Sequence, residues 1–255
     1  MLPENWDDLA TENIFLSKNY LHVLEKSSPE NMICHFIGLF REDKLVGIAL
    51  SQFLDLNKLA SFGERDKCLK ASVRNIIFKN FSSHVLFIGN NMLTGQNAYH
   101  FSDEINCHEA LKSLKKASET LKEIFKNKGH KIHVTSFKDF TSEEIGSFEN
   151  ATFENHYKFS TQPNMVFEIR ENWKTFYDYV ADLSKKYRDQ FKRSRKKAEG
   201  ITKQKMDLEA ILKYEETIYA LYFHVAKNAP FNTFFLAKNH FSVFKEVLQD
   251  KFLFY

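Results

Sequence analysis

The sequence predicts an α/β (α+β) protein: a mixed sheet flanked by helices, followed by a largely helical stretch. Three observations predict it. Two apolar runs, residues 35–40 and 45–53, flank the charged turn Arg41-Glu42-Asp43-Lys44, the pattern of a β-hairpin. Residues 108–128 place Ala110, Leu111, Leu114, Ala117, Leu121, Ile124 and Phe125 at three- and four-residue spacings, which describes an amphipathic helix. Short apolar stretches lie on either side of that helix, residues 85–89 before it and 131–137 after it. They read as strands, and the helix as a crossover between parallel neighbours.

Taken in order, residues 13–26 carry Ile14, Leu16, Tyr20, Leu21 and Leu24, helical from Leu16 and ended by Ser27-Ser28-Pro29. Residues 45–53 are almost wholly apolar, so that strand is expected to be central and covered on both faces. Residues 54–84 show no clear period, and Glu64-Arg65-Asp66 reads either as a solvated turn or as a contact for a polar substrate. Gly129 closes the amphipathic helix as a C-cap. Residues 148–159 and 165–169 read as two further strands, joined through Gln162-Pro163-Asn164.

The pattern changes near residue 170. Phe176, Val180, Leu183, Tyr187 and Phe191 form one stripe of a helix running to Gly200; further helices are expected over 207–227 and 238–250, and a strand begins at 251–255. An exposed apolar strand edge invites aggregation, so this last element implies a unit continued elsewhere. The expected organisation is a first domain over 1–170 and the opening part of a second over 171–255.

Composition excludes several classes. Hydrophobic residues at 43% and charged residues at 27% describe a globular chain, and 26 phenylalanines suit aromatic-rich cores on sheets. A net charge of +3 does not by itself imply nucleic acid. Cys34, Cys68 and Cys107 are odd in number, widely spaced and without a CxxC pair, which reads as reduced thiols. The first residues lack a signal-peptide pattern, and no run approaches 18 apolar residues. A cytoplasmic protein with no membrane span is expected. P-loop, Gly-x-Gly-x-x-Gly and Gly-x-Ser-x-Gly motifs are missing from the sequence, and so is zinc-ligand spacing. His130 and His133 fall on opposite faces of a strand, so no metal is expected.

Two stretches remain as candidates for chemistry. The turn at 89–98, Gly-Asn-Asn-Met-Leu-Thr-Gly-Gln-Asn-Ala, follows a buried strand; Asn91, Thr94, Gly95, Gln96 and Asn97 are its candidate ligand-binding residues. Residues 185–197 carry eight Lys/Arg with Asp189 as the only acid. Lys185, Arg188, Lys192 and Arg195 there form a candidate anion site, the alternative being a solvated face above a Tyr187/Phe191 core stripe.

The order helix, hairpin, buried strand, polar turn, helix, strand resembles the GNAT (acyl-CoA N-acyltransferase) fold. The basic helix 183–200, ending in Gly200, resembles the start of the second repeat in two-repeat members related to the Fem-type peptidyltransferases. The resemblance implies a bacterial-type transferase moving an acyl group from acyl-CoA to an amine acceptor. It also implies that backbone amides of the 89–98 turn hold the donor pyrophosphate. That turn carries one central glycine, Gly95, where the family motif has two. Two alternatives stay open: a Fem-type transferase using aminoacyl-tRNA, and a non-catalytic binding module with the same fold.

Overall fold

The computed structural model describes residues 2–11, 13–58, 81–95, 98–140, 143–160, 167–229 and 232–255. The Glu64-Arg65-Asp66 turn, Cys68 and the Gln162-Pro163-Asn164 linker lie outside the described residues. The chain divides into two compact units. One comprises residues 1–154 with 206–254, the other residues 155–205 with Tyr255. Residues 206–254 group with residues 1–154, the last helix packing through Val243 and Leu248 against Val23.

In the larger unit the hairpin forms as read. Strand β1 (Met32–Arg41) pairs antiparallel with β2 (Lys44–Asp55) through a two-residue turn in which Glu42 has φ 53°. Strand β3 (His84–Ile88) pairs antiparallel with β2, and β5 (Val134–Phe137) pairs parallel with β3, Val85 opposite Val134 and Ile88 opposite Phe137. The crossover between them is α3 (Cys107–Asn127), capped by Asn106, whose side chain accepts from the His108 amide. Gly129 follows with φ 84°. The sheet order is β1-β2-β3-β5. The expected parallel neighbours are present.

Strand β2 is central and buried from Leu45 to Leu54. Its alternation divides the core into two layers. Ala49 and Phe53 face α3, where Phe53 packs with Phe125 at 4.2 Å between rings and Ala49 with Leu114. Ile48 and Leu50 face helices α1 (Trp6–Leu9) and α2 (Lys18–Ser27), packing with Trp6, Leu16, Tyr20, Leu21 and Leu24. The Trp6 indole donates to the Leu16 carbonyl at 2.8 Å, so its burial leaves no orphaned N–H.

Two expected helices are each broken once. Helices α6 (Leu208–Lys213) and α7 (Glu215–Asn228) are separated at Tyr214. In the smaller unit α4 (Phe176–Asp182) stops before α5 (Lys185–Lys197), because Leu183 and Ser184 are extended. The apolar stripe nevertheless meets across the break, with the Phe176 and Phe191 rings 5.5 Å apart. Helix α8 (His240–Leu248) packs on α2 through Val23, Val243 and Leu248.

Residues 148–159 are not a strand. A 3-10 turn at Glu144–Phe148 runs into this stretch and a second follows at Ala151–Phe153, capped by Asn150. Phe148 and Phe153 pack on Phe137 instead, in an aromatic cluster with rings 4.8–6.0 Å apart. Clustering buries these rings without a ladder, so aromatic content misled the strand assignment. Residues 167–169 are likewise not in a strand. The 251–255 stretch forms one isolated bridge, Met206 opposite Phe254. Among the described residues no helix is long and apolar enough to cross a membrane.

Candidate functional site

In an open sheet, ligands bind beyond the carboxyl ends of parallel strands, where a crossover helix begins. Here that place is reached from Ile88 of β3, Phe137 of β5 and the first turn of α3. The chain passes through it in an unusual way. After β3 leaves β2 at Ile88, a short strand β4 (Tyr99–Phe101) rejoins β2 further along the same side, Tyr99 opposite Ala49 and Phe101 opposite Gly47. Strands β3 and β4 are thus two halves of one lane, interrupted by an excursion over 89–98. The backbone of Leu50 closes both ends: its carbonyl accepts from Gly89 N at 2.9 Å, and its N–H donates to the Ala98 carbonyl at 2.8 Å.

The excursion is anchored by a buried polar network. Gln52 projects from β2 and its carbonyl oxygen accepts from Asn91 N at 2.6 Å, while its amide donates to Asn90 Oδ1 at 3.4 Å. Asn90 donates to the Tyr20 hydroxyl at 2.8 Å and accepts from Met92 N at 2.9 Å. Lys138, just past β5, donates to the carbonyls of Asn90 (3.0 Å) and Leu93 (3.4 Å) and pairs with Asp139. Burial pushes the Tyr20 phenol up to about 12 and the Cys34 thiol, beside Gln52 and Ser28, up to about 11. Both are therefore structural groups at neutral pH.

Gly89 makes this geometry possible. Its φ is 137°, and a Cβ there would stand 2.7 Å from Lys138 Cγ. A Gly89→Ala variant combines backbone strain with displacement of the Lys138 clamp, an expected loss of about 2 kcal/mol. Urea unfolding would read it, and a loss below about 0.5 kcal/mol would show that the glycine is not required.

Beyond the excursion lies an open groove of about 420 Å³, formed where β4 passes into α3 and faces the 144–148 turn. Tyr99, His100, Phe101, Ser102, Asp103, Ile105, Cys107, Glu144 and Ser147 line it. Tyr99 stacks on Phe101 at 4.4 Å. Its phenol is held well above the usual range, first by burial and then by the nearby Cys107 and Glu144. The hydroxyl therefore stays protonated and is available as a hydrogen-bond donor. Asp103 and Glu144 give the groove an acidic lining. Outside it, Arg41 pairs with Glu109 at 3.2 Å and Lys44 with Glu104 at 2.5 Å.

Asn91, Thr94 and Gly95 lie in the excursion; Gln96 and Asn97 are outside the described residues. The side-chain amide of Asn91 donates to Thr233 Oγ1 at 2.9 Å. The amides of Gly89, Asn91, Met92 and Leu93 all have acceptors within the fold. Moreover, the excursion leads into β4 rather than directly into the helix. The residues that approach the α3 N-terminus are Tyr99 to Cys107. The sequence signal that points to them is weak, since Tyr-His-Phe is too short to read as a strand without knowing its partner.

Within the smaller unit, Lys185, Arg188, Lys192 and Arg195 share one face of α5 through their 3-4-3 spacing. Arg188 is half-buried and donates to the carbonyls of Ala181 and Leu183, capping the end of α4. The other three are exposed. At the opposite end of the sheet from the groove, His130 and His133 do come together on either side of His84, their rings 5.5 and 5.1 Å from it. Among the described residues, no group of three or more His, Cys, Asp or Glu could hold a metal. No protein-family model, curated protein or solved structure matches the chain.

Proposed function

We propose that the chain is an N-acyltransferase, taking an acyl group from a thioester donor such as acyl-CoA and passing it to an amine. The observation that carries this reading is the acidic groove with Tyr99 at the carboxyl end of the parallel pair. Asp103 and Glu144 favour a cationic amine there. In the reaction the amine nitrogen attacks the thioester carbonyl and the C–S bond breaks. Glu144 takes the proton lost by the amine and returns it to the departing thiolate, whose sulfur accepts a hydrogen bond from the Tyr99 hydroxyl, leaving an amide and a thiol. Holding both substrates in one groove supplies much of the rate advantage.

Because the amides of Gly89, Asn91, Met92 and Leu93 already have acceptors, donor recognition falls on the thioester and acyl arm more than on the phosphates. That same observation favours a second reading, a binding module with this fold and no transfer activity. Release of free thiol from acetyl-CoA with a diamine acceptor distinguishes them. Tyr99→Phe is expected to lower the rate about 100-fold with unchanged folding. Neither thiol release nor heat stabilisation by millimolar acetyl-CoA would leave only the module.

A further inference from the structure

Charge is unevenly distributed along this chain. Residues 155–205, the bulk of the smaller unit, hold thirteen Lys/Arg against six Asp/Glu, a net charge of +7. The whole chain carries +3, so the remainder stands at −4. Such segregation places a strong positive potential on one compact unit. Its centre is α5, whose eight cations cover roughly 200° of the helix circumference at 100° per residue. Among the described residues none of them is paired with a carboxylate side chain. Neighbouring like charges repel along a helix, so this face is complementary to an anionic surface.

The unit also exposes large apolar side chains. Tyr187 on α5 is 53% exposed, and Ile169 and Ile201 are each 75% exposed. Phe159 and Tyr177 are exposed as well. Tyr187 stands on the side of α5 away from the cationic arc, but a unit that carries cations together with exposed aliphatic and aromatic side chains matches the interfacial region of a bilayer, where charges meet headgroups and apolar groups enter the acyl boundary. Nucleic acid uses cations and stacked aromatic rings, but offers nothing for Ile169 and Ile201.

We propose that the 155–205 unit is a peripheral docking surface for membranes rich in anionic lipid. The test is co-sedimentation of the full chain with phosphatidylcholine vesicles, with and without 30% phosphatidylserine. Binding is expected to the anionic vesicles alone and to weaken steeply with salt. The Lys192→Glu, Arg195→Glu, Lys196→Glu variant is expected to bind at least about 100-fold more weakly. All three positions are exposed, so its circular dichroism melt should be unchanged. Ile169→Ser together with Ile201→Ser should weaken binding several-fold while preserving its salt dependence. Three outcomes would overturn the proposal: no binding to anionic vesicles, equal binding to neutral ones, or charge-dependent binding to a single-stranded RNA while vesicles are ignored.

Discussion

Lowering the pH from 7 to 4 is expected to remove roughly 3 kcal/mol of stability through one residue, His240. Its ring is buried on α8 between Phe241 and Phe244, and Nδ1 has no hydrogen-bond partner. Burial pulls its pKa down to about 4 from the ordinary 6.5, against a smaller opposing effect from the Ser27 backbone. The folded state thus binds fewer protons than the unfolded state between these values. Stability contributed by the neutral ring is complete above about pH 6.5, falls as pH drops through the window, and is lost near pH 4. His35 and His133 are shifted in the same direction, chiefly by burial. Denaturant unfolding of the wild type and His240→Gln at pH 7.5, 6, 5 and 4 isolates the contribution. Parallel curves for the two proteins would show that His240 does not carry it.

The second large effect concerns Gln52. This side chain is fully buried and satisfies the Asn91 amide and the Asn90 carboxamide together. Gln52→Leu keeps the volume but leaves the half-buried Asn91 N–H without its acceptor and the buried Asn90 carbonyl oxygen with Met92 N alone, an expected loss of about 3 kcal/mol. Tyr20→Phe, which removes only the acceptor for Asn90 Nδ2, should cost about 1 kcal/mol. Amide exchange should report the cause, with Asn91 and Met92 exchanging faster in Gln52→Leu than amides of β2. Uniform acceleration across the sheet would instead mean global destabilisation and no special role in holding the excursion.

These effects lie in parts of the molecule that the sequence renders unequally. The hairpin, the crossover helix and the parallel pair were legible because each repeats a period over many residues. The doubly covered β2 was legible from its unbroken apolar run. Short elements were not. Strand β4 is three residues long, and its identity depends on a partner some fifty residues earlier. Residues 148–159 were misread as a strand because Phe148 and Phe153 carry strand propensity but find burial against Phe137 as a cluster. The break between α4 and α5 is signalled only by Ser184, a common N-cap residue placed inside an apolar stripe. At the site, the 89–98 turn was visible as polar and glycine-bearing, but the use of its amides by Gln52 and Asn90 follows from tertiary packing. The groove residues Tyr99 and Asp103 come from one stretch and Glu144 from another some forty residues later, so no local motif joins them.

The closure of the interrupted lane by Leu50 has an architectural meaning. Both ends of the 89–98 segment are held by the two hydrogen-bonding groups of a single residue, so whatever lies between them starts and finishes at the same point of the sheet. Lengthening such a detour changes the closure entropy by only about 0.6 kcal/mol per doubling and leaves the register on either side untouched. The fold thereby admits insertions after Leu93, past the residues that Gln52 and Lys138 hold, without re-laying the strands beneath.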